Sequence, residues 1–123
     1  RTDAHVYFTY PFVASWSLRE AMAVGAPLIG SDTQPVREFI THEQTGLLSP
    51  FLEPDRLADS VLRLLEDARL SLTLRANARR FAEDHLDREV YLANYVALIG
   101  RLTGQSTKPP KRTASKRGRA AGR

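Results

Sequence analysis

An α/β fold with a mostly parallel sheet is predicted by three features of this 123-residue chain. Strand-like and helix-like segments alternate along it, the strand-like ones are short apolar runs closed by polar loops, and Gly or Pro marks most junctions. Only about three strands are visible. A lone parallel sheet of that size would leave both edges and part of each face uncovered, whereas parallel sheets normally lie buried under helices on both faces. The sequence therefore predicts half of a doubly wound domain, followed by carboxyl-terminal helices.

The first strand is expected over Ala4 to Thr9, where aromatic and β-branched residues are dense, with Pro11 ending it. A helix containing Glu20 follows. Ser15 and Ser17 stand ahead of it, where hydroxyls can cap free backbone N–H groups and where the positive end of the helix dipole attracts an anion such as a phosphate. Gly25 fits the left-handed position after the helix, and Pro27 prevents its continuation. Leu28-Ile29 then opens a short strand that ends at Ser31-Asp32.

Asp32 is expected to cap the next helix, which begins near Pro35 and gathers Val36, Phe39 and Ile40 on one face. Residues 42–45 read as a loop, Gly46 opens a last strand at Leu47-Leu48, and Phe51-Leu52-Glu53-Pro54 is turn-like. The helix from Pro54 to Asp67 has the clearest pattern: Leu57, Val61, Leu64 and Leu65 make an apolar stripe, with Asp59, Arg63, Glu66 and Asp67 pointing elsewhere. Two further helices are predicted, about Leu70 to Glu83 and about Arg88 to Leu102, with His85 between them.

The run Glu20-Ala-Met-Ala-x-Gly25-x-Pro27-(apolar)2-x-Ser31-Asp32 resembles the signature of nucleotide-sugar-dependent glycosyltransferases of the GT-B fold, in the large retaining group called glycosyl transferases group 1. The resemblance continues through Pro35 to Ile40, Thr45 to Leu48 and the helix from Pro54 to Asp67, and covers roughly residues 4 to 100. It implies the carboxyl-terminal part of such an enzyme, namely the second half of its Rossmann-like doubly wound domain, with a nucleotide diphosphate sugar as donor, no metal and retention of anomeric configuration. In that family two glutamates separated by seven residues mark the donor site, and Glu20 matches the second. The first falls at Phe12, so the chain departs from the family at the position usually placed near the donor sugar. By the same resemblance the acceptor-binding domain, which lies amino-terminal in the family, and the basic residues used on the donor diphosphate are missing.

The residues themselves allow the donor chemistry. An ionised carboxylate accepts two charge-assisted hydrogen bonds from the adjacent hydroxyls of a ribose, which is the role the resemblance gives Glu20. The competing reading is an ordinary acidic residue in the early turns of a helix. Ser15, Trp16 and Ser17 lie where the family presents backbone N–H groups to the distal phosphate; against this stands plain N-capping with a core tryptophan. Phe12 has no polar atom for a sugar and is expected to support packing of the turn before the helix. Arg37 and Glu38 read as a solvated helix face rather than a catalytic pair.

Composition narrows the remaining choices. The chain has no cysteine, which removes disulfides, thiolate metal sites and cysteine nucleophiles, while His5, His42 and His85 lack short ligand spacing. No metal or other cofactor is expected. There is no nucleophile elbow, no phosphate-binding Gly-x-x-x-x-Gly-Lys loop and no Gly-x-Gly-x-x-Gly fingerprint. No apolar run approaches the roughly 20 residues of a membrane span, and the start Arg1-Thr2-Asp3 is unlike a signal peptide, so a cytoplasmic protein is expected. The opening, without Met and directly before a strand, suggests a piece of something longer.

Charge is segregated. All 14 Asp and Glu precede Gln105, and seven of the 18 Lys and Arg follow Gly104, so residues 1–104 carry 11 − 14 = −3 within an overall +4. Residues 105–123 hold no aromatic or large aliphatic side chain and are predicted to be a disordered basic tail able to attract nucleic acid or an anionic membrane face. The sequence therefore supports two functions. One is the carboxyl-terminal fragment of a glycosyltransferase that moves a hexose from a nucleotide diphosphate sugar to an unidentified acceptor, inactive alone. The other is a non-catalytic nucleotide-binding or interaction module with a basic tail.

Overall fold

A computed structural model describes residues 2–104, and the predicted basic tail lies outside them. Three strands and five helices follow one another as β1 (His5–Tyr7), α1 (Trp16–Ala23), β2 (Leu28–Ser31), α2 (Gln34–Arg37), β3 (Leu47–Ser49), α3 (Pro54–Glu66), α4 (Ala68–His85) and α5 (Arg88–Thr103). The strands form one parallel sheet in the order β1-β2-β3. The α/β class and the half-domain sheet expected from the sequence are therefore present. The chain divides into two compact units, one up to Asp87 and one beginning at Arg88.

In the first unit the period-2 alternation of the strands separates two cores. Leu28 and Tyr7 face one side, where Leu18, Ala21 and Met22 of α1, Val36, Ile40 and the α4 residues Ala78 and Ala82 complete a buried cluster. Ile29 and Leu47 face the other, against Leu64 of α3 and Leu74 of α4. Leu18, Met22, Leu28, Ile29, Leu47 and Leu74 are fully buried, each contributing about 1.5–3 kcal/mol by removal from water. Gly30 pairs with Tyr7 and Leu48 in the middle of the sheet. A Cβ there would lie 2.7 Å from Val36 Cγ1 and 2.8 Å from Ile40 Cδ1, so only glycine lets α2 approach.

The end of α1 follows the sequence closely. Gly25 has φ +68°. Its N–H donates to the Met22 carbonyl at 3.0 Å and the Ala26 N–H to the Ala21 carbonyl at 2.9 Å, the paired bonds of a Schellman motif. Two cations of α4 complete this terminus: Arg79 donates to the Ala23 carbonyl and Arg75 to the Gly25 carbonyl, the latter at 3.4 Å. Positive charge at a helix carboxyl end is favoured by the dipole, so these arginines fasten α4 to α1 beyond apolar contact.

Several expectations are corrected. β1 is shorter than Ala4 to Thr9, because the Thr9 N–H and carbonyl are both taken by the Ser31 hydroxyl, at 3.3 and 3.1 Å, instead of a neighbouring strand. Asp32 does not cap α2: the N-cap is Thr33, without a side-chain cap bond, and the Asp32 carboxylate binds Arg37. Helix α2 is a single turn, although Val36 and Ile40 are buried as predicted. Leu65 leaves the stripe of α3 and is 54% exposed, since eight residues rotate it about 80° from Leu57. His85 is the last residue of α4, stacked on Phe81 at 4.5 Å, rather than a link between helices.

In the second unit, α5 carries Tyr91 and Tyr95 stacked at 6.2 Å, one turn apart. Apolar residues occur on more than one of its sides, Leu92, Val96 and Ile99 on one and Leu98 and Leu102 on another, and all are at least partly exposed. No helix among the described residues is long and apolar enough to cross a membrane.

Candidate functional site

Parallel α/β sheets place their ligands beyond the carboxyl ends of the strands, and α1 begins there. The segment from Phe8 to Ala14 leads from β1 to Ser15, whose backbone N–H donates to the Tyr7 hydroxyl at 2.8 Å. This bond fixes the start of α1 to the end of β1. Ser15 has the extended N-cap conformation (φ −78°, ψ 168°), yet neither serine caps the helix. Instead the Ser15 and Ser17 hydroxyls bond each other at 2.6 Å. The expected side-chain cap is thus absent, and the backbone N–H groups of Trp16, Ser17 and Leu18 find no acceptor among the described residues. Three unfilled donors at the positive end of a helix form a concentrated positive potential.

Glu20 lies one turn further along α1. Its side chain is exposed, and among the described residues its carboxylate enters no hydrogen bond or ion pair. Residues four apart share a helix face, so Glu20 stands on the side of Trp16, about 6 Å along the axis at 1.5 Å per residue. Helix α1 therefore brings an unused anion and a set of unused N–H donors to one surface.

Trp16 is not a core residue. It is 73% exposed, because a side chain at the first helical position points back past the helix end rather than toward the sheet. The Arg19 guanidinium sits 5.2 Å from the indole centroid and 4.9 Å from that of Phe39. Phe39 in turn packs on the buried cluster beneath α1. Phe12 also departs from expectation: it is 76% exposed and supports no packing of the turn. It offers no hydrogen-bonding group where the resemblance would require a carboxylate.

A concavity of about 770 Å³ runs beside β3 and α3 and is lined by Asp32, Arg37, His42, Ser49, Arg56 and Arg63 among others. Its three arginines are each paired with a carboxylate. Arg37 grips Asp32 with both Nε and Nη2, at 2.6 and 2.8 Å, Arg63 pairs with Glu43 and Arg56 with Glu53. The Arg37 hydrogen bond, reinforced by its charge, holds the Asp32 carboxyl below the usual range, and Arg63 does the same for Glu43. His42 Nδ1 accepts the Leu48 N–H at 2.9 Å, so this nitrogen carries a lone pair and the imidazole closes the outer edge of β3. None of Ser15, Trp16, Ser17 or Glu20 lines this cleft. Among the described residues no group of three or more His, Asp or Glu side chains could hold a metal ion.

Sequence reasoning singled out Glu20 and the residues that open α1 as candidates, and it did not find the Asp32–Arg37 grip or the Arg19 sandwich. The one available signal for the latter was the spacing of Trp16 and Arg19, three apart and so adjacent on a helix.

Residues 14–81 match the family model described as glycosyl transferases group 1. D-inositol 3-phosphate glycosyltransferase of Jonesia denitrificans is 38% identical over 64 residues, 52% of this chain and 15% of that protein. N-acetyl-alpha-D-glucosaminyl L-malate synthase of Bacillus anthracis is 32% identical over 78 residues, 63% of this chain and 20% of that protein. The chain thus spans a small part of the curated relatives it matches.

Among solved structures, sucrose-phosphate synthase of Thermosynechococcus elongatus superposes with a TM-score of 0.72 at 28% identity, covering 83% of this chain and 26% of that one. Anabaena Alr3699/HepE in complex with UDP-glucose gives 0.72 at 23% identity, over 83% of this chain and 28% of that one. The carboxyl-terminal domain of a glycosyl transferase group 1 protein, LpcC of Francisella tularensis, gives 0.64 at 20% identity, over 70% and 44%. With more than half of its length matched by the family model, its sheet and helices shared with these structures and its Glu20 block intact, this chain belongs to the glycosyl transferases group 1 family of GT-B glycosyltransferases.

Proposed function

We propose that this chain supplies the donor-nucleotide side of a glycosyltransferase that moves a hexose from a nucleotide diphosphate sugar to an acceptor. The observation that carries this is the surface of α1, where the unpartnered N–H groups of Trp16, Ser17 and Leu18 lie one turn from the unpaired Glu20 carboxylate. A diphosphate accepts from the N–H groups, with the helix dipole adding to the attraction. The Glu20 carboxylate accepts from the two ribose hydroxyls, each a charge-assisted bond.

In transfer, negative charge builds on the departing diphosphate as the bond to the sugar breaks. Donors already oriented on that position stabilise the charge without rearranging at the moment of reaction. The acceptor and the groups that hold it lie on other parts of the enzyme, and positioning two substrates is worth about 7–11 kcal/mol of barrier. The 123 residues alone therefore bind donor without transferring sugar. The solved relative holding UDP-glucose supports a nucleotide sugar as the ligand class. The cytoplasmic location expected from the sequence belongs to the same proposal, as does the division into a donor domain over 1–104 and a basic tail over 105–123.

Calorimetric titration of the chain with UDP tests the reading. Saturable, exothermic binding with no release of glucose from UDP-glucose is expected; failure of UDP and the other common nucleoside diphosphates to bind would contradict it.

A further inference from the structure

We infer that the outer face of the Trp16 indole is the platform on which the transferred sugar stacks, so that Trp16 replaces by apolar contact the sugar-facing role that Phe12 cannot perform by hydrogen bonding. This rests on the donor-site reading of α1 and extends it to the sugar.

The geometry comes from one residue acting twice. The Trp16 N–H is among the donors left open for phosphate, while its side chain, at the first helical position, projects past the helix end. The group bonded to a phosphate held on these N–H donors must occupy the space just beyond that end. In a nucleotide diphosphate sugar the group on the distal phosphate is the pyranose. The indole is 73% exposed there, and one of its faces already lies against the Arg19 guanidinium, 5.2 Å from the centroid. Arg19 in turn lies 4.9 Å from the Phe39 centroid, and Phe39 packs on the core. The stack of Trp16, Arg19 and Phe39 thus holds the ring in one orientation and leaves one face free.

That free face suits a pyranose. The face of an aromatic ring carries negative potential, and the C–H bonds on the less polar side of a sugar ring present weak positive charge. Contact between them needs no hydrogen-bonding partner. Phe12, in the segment leading to α1 and itself 76% exposed, carries no polar side-chain atom to compete for the sugar.

Trp16 is the chain's single tryptophan, so its fluorescence reports this contact directly. UDP-glucose and UDP are titrated against the chain, with excitation at the red edge of the indole band where uracil does not absorb. UDP-glucose should alter the emission more than UDP does. In calorimetry Trp16→Ala should weaken UDP-glucose by about three- to tenfold more than it weakens UDP, the size of an aromatic contact. Trp16→Tyr, which keeps an aromatic face, should restore most of the loss and guards against a folding defect in the alanine variant. Equal responses to the two ligands, or equal losses of affinity for both in Trp16→Ala, would overturn the assignment while leaving the donor-site reading standing. Failure of UDP itself to bind would remove both.

Discussion

The Tyr7 hydroxyl at the end of β1 accepts the backbone N–H of Ser15 at 2.8 Å, tying the sheet to the N-cap residue of α1, the helix that carries the proposed donor site. Tyr7 is 8% exposed, so its ring belongs to the core while its oxygen serves the loop. Tyr7→Phe keeps the ring and strands the Ser15 N–H. The expected cost is about 0.5–1.5 kcal/mol of stability, the net value of one hydrogen bond. Urea denaturation should show a lower midpoint with the slope unchanged.

Two glycines separate strain from crowding. At Gly25, φ is +68° and a Cβ would meet nothing closer than 3.5 Å, so Gly25→Ala costs only backbone strain, roughly 1–2 kcal/mol. At Gly30 the new Cβ would press on Val36 and Ile40 within 2.8 Å, and overpacking of this kind costs about 1–3 kcal/mol. Adding Val36→Ala should recover part of the Gly30→Ala loss and none of the Gly25→Ala loss. Melting temperatures of the two double variants decide between these mechanisms.

The Asp32–Arg37 grip gives a pH signature. Because its hydrogen bond to Arg37 lowers the Asp32 carboxyl in the folded chain, the stabilisation is fully present above the unfolded carboxyl value of about 3.9 and is lost as pH falls through the lower folded value. Asp32→Asn should therefore be less stable than the parent at pH 6. The difference should close as both are acidified, and denaturation midpoints measured across this window should converge. A gap that persists unchanged in acid would mean that the pair contributes through shape rather than charge.

Most of the fold could be read from the sequence where local chemistry and tertiary structure agree. Gly25 and Pro27 fixed the end of α1 because a left-handed residue and a missing N–H act within a few positions. Leu28-Ile29 read as a strand because adjacent apolar residues suit a parallel strand buried on both faces. What escaped depended on partners distant in the chain. Ser31 shortens β1 by occupying Thr9, 22 residues away, and Arg75 and Arg79 reach the end of α1 across 50 and 56. At the site, Glu20 was legible as an acid in a family block. The exposure of Trp16 was not, because apolar bulk in a sequence gives no sign of which helix end it overhangs.

The basic segment after Gly104 carries a separate expectation from composition alone. Its seven cations without an acid should retain the chain on heparin with steep salt dependence. Removal of residues 105–123 should abolish that retention while UDP affinity stays the same, as measured by salt-gradient elution and calorimetry on one preparation.

Glu20 decides the central claim. If its carboxylate accepts the ribose hydroxyls, Glu20→Ala should weaken UDP binding by about ten- to hundredfold, the roughly 1.5–3 kcal/mol of hydrogen bonds to a charged group. Phe12→Ala, a change at an exposed side chain with no polar atom, should leave UDP affinity where it was. Because Glu20 is exposed and without a partner among the described residues, its replacement should not move the unfolding midpoint, so affinity can be read without correction for folding. Calorimetry of UDP against the parent chain and these two variants is the most direct measurement. A large loss confined to Glu20→Ala is the predicted result; unchanged affinity in a folded Glu20→Ala chain would contradict the assignment of α1 as the nucleotide-binding helix.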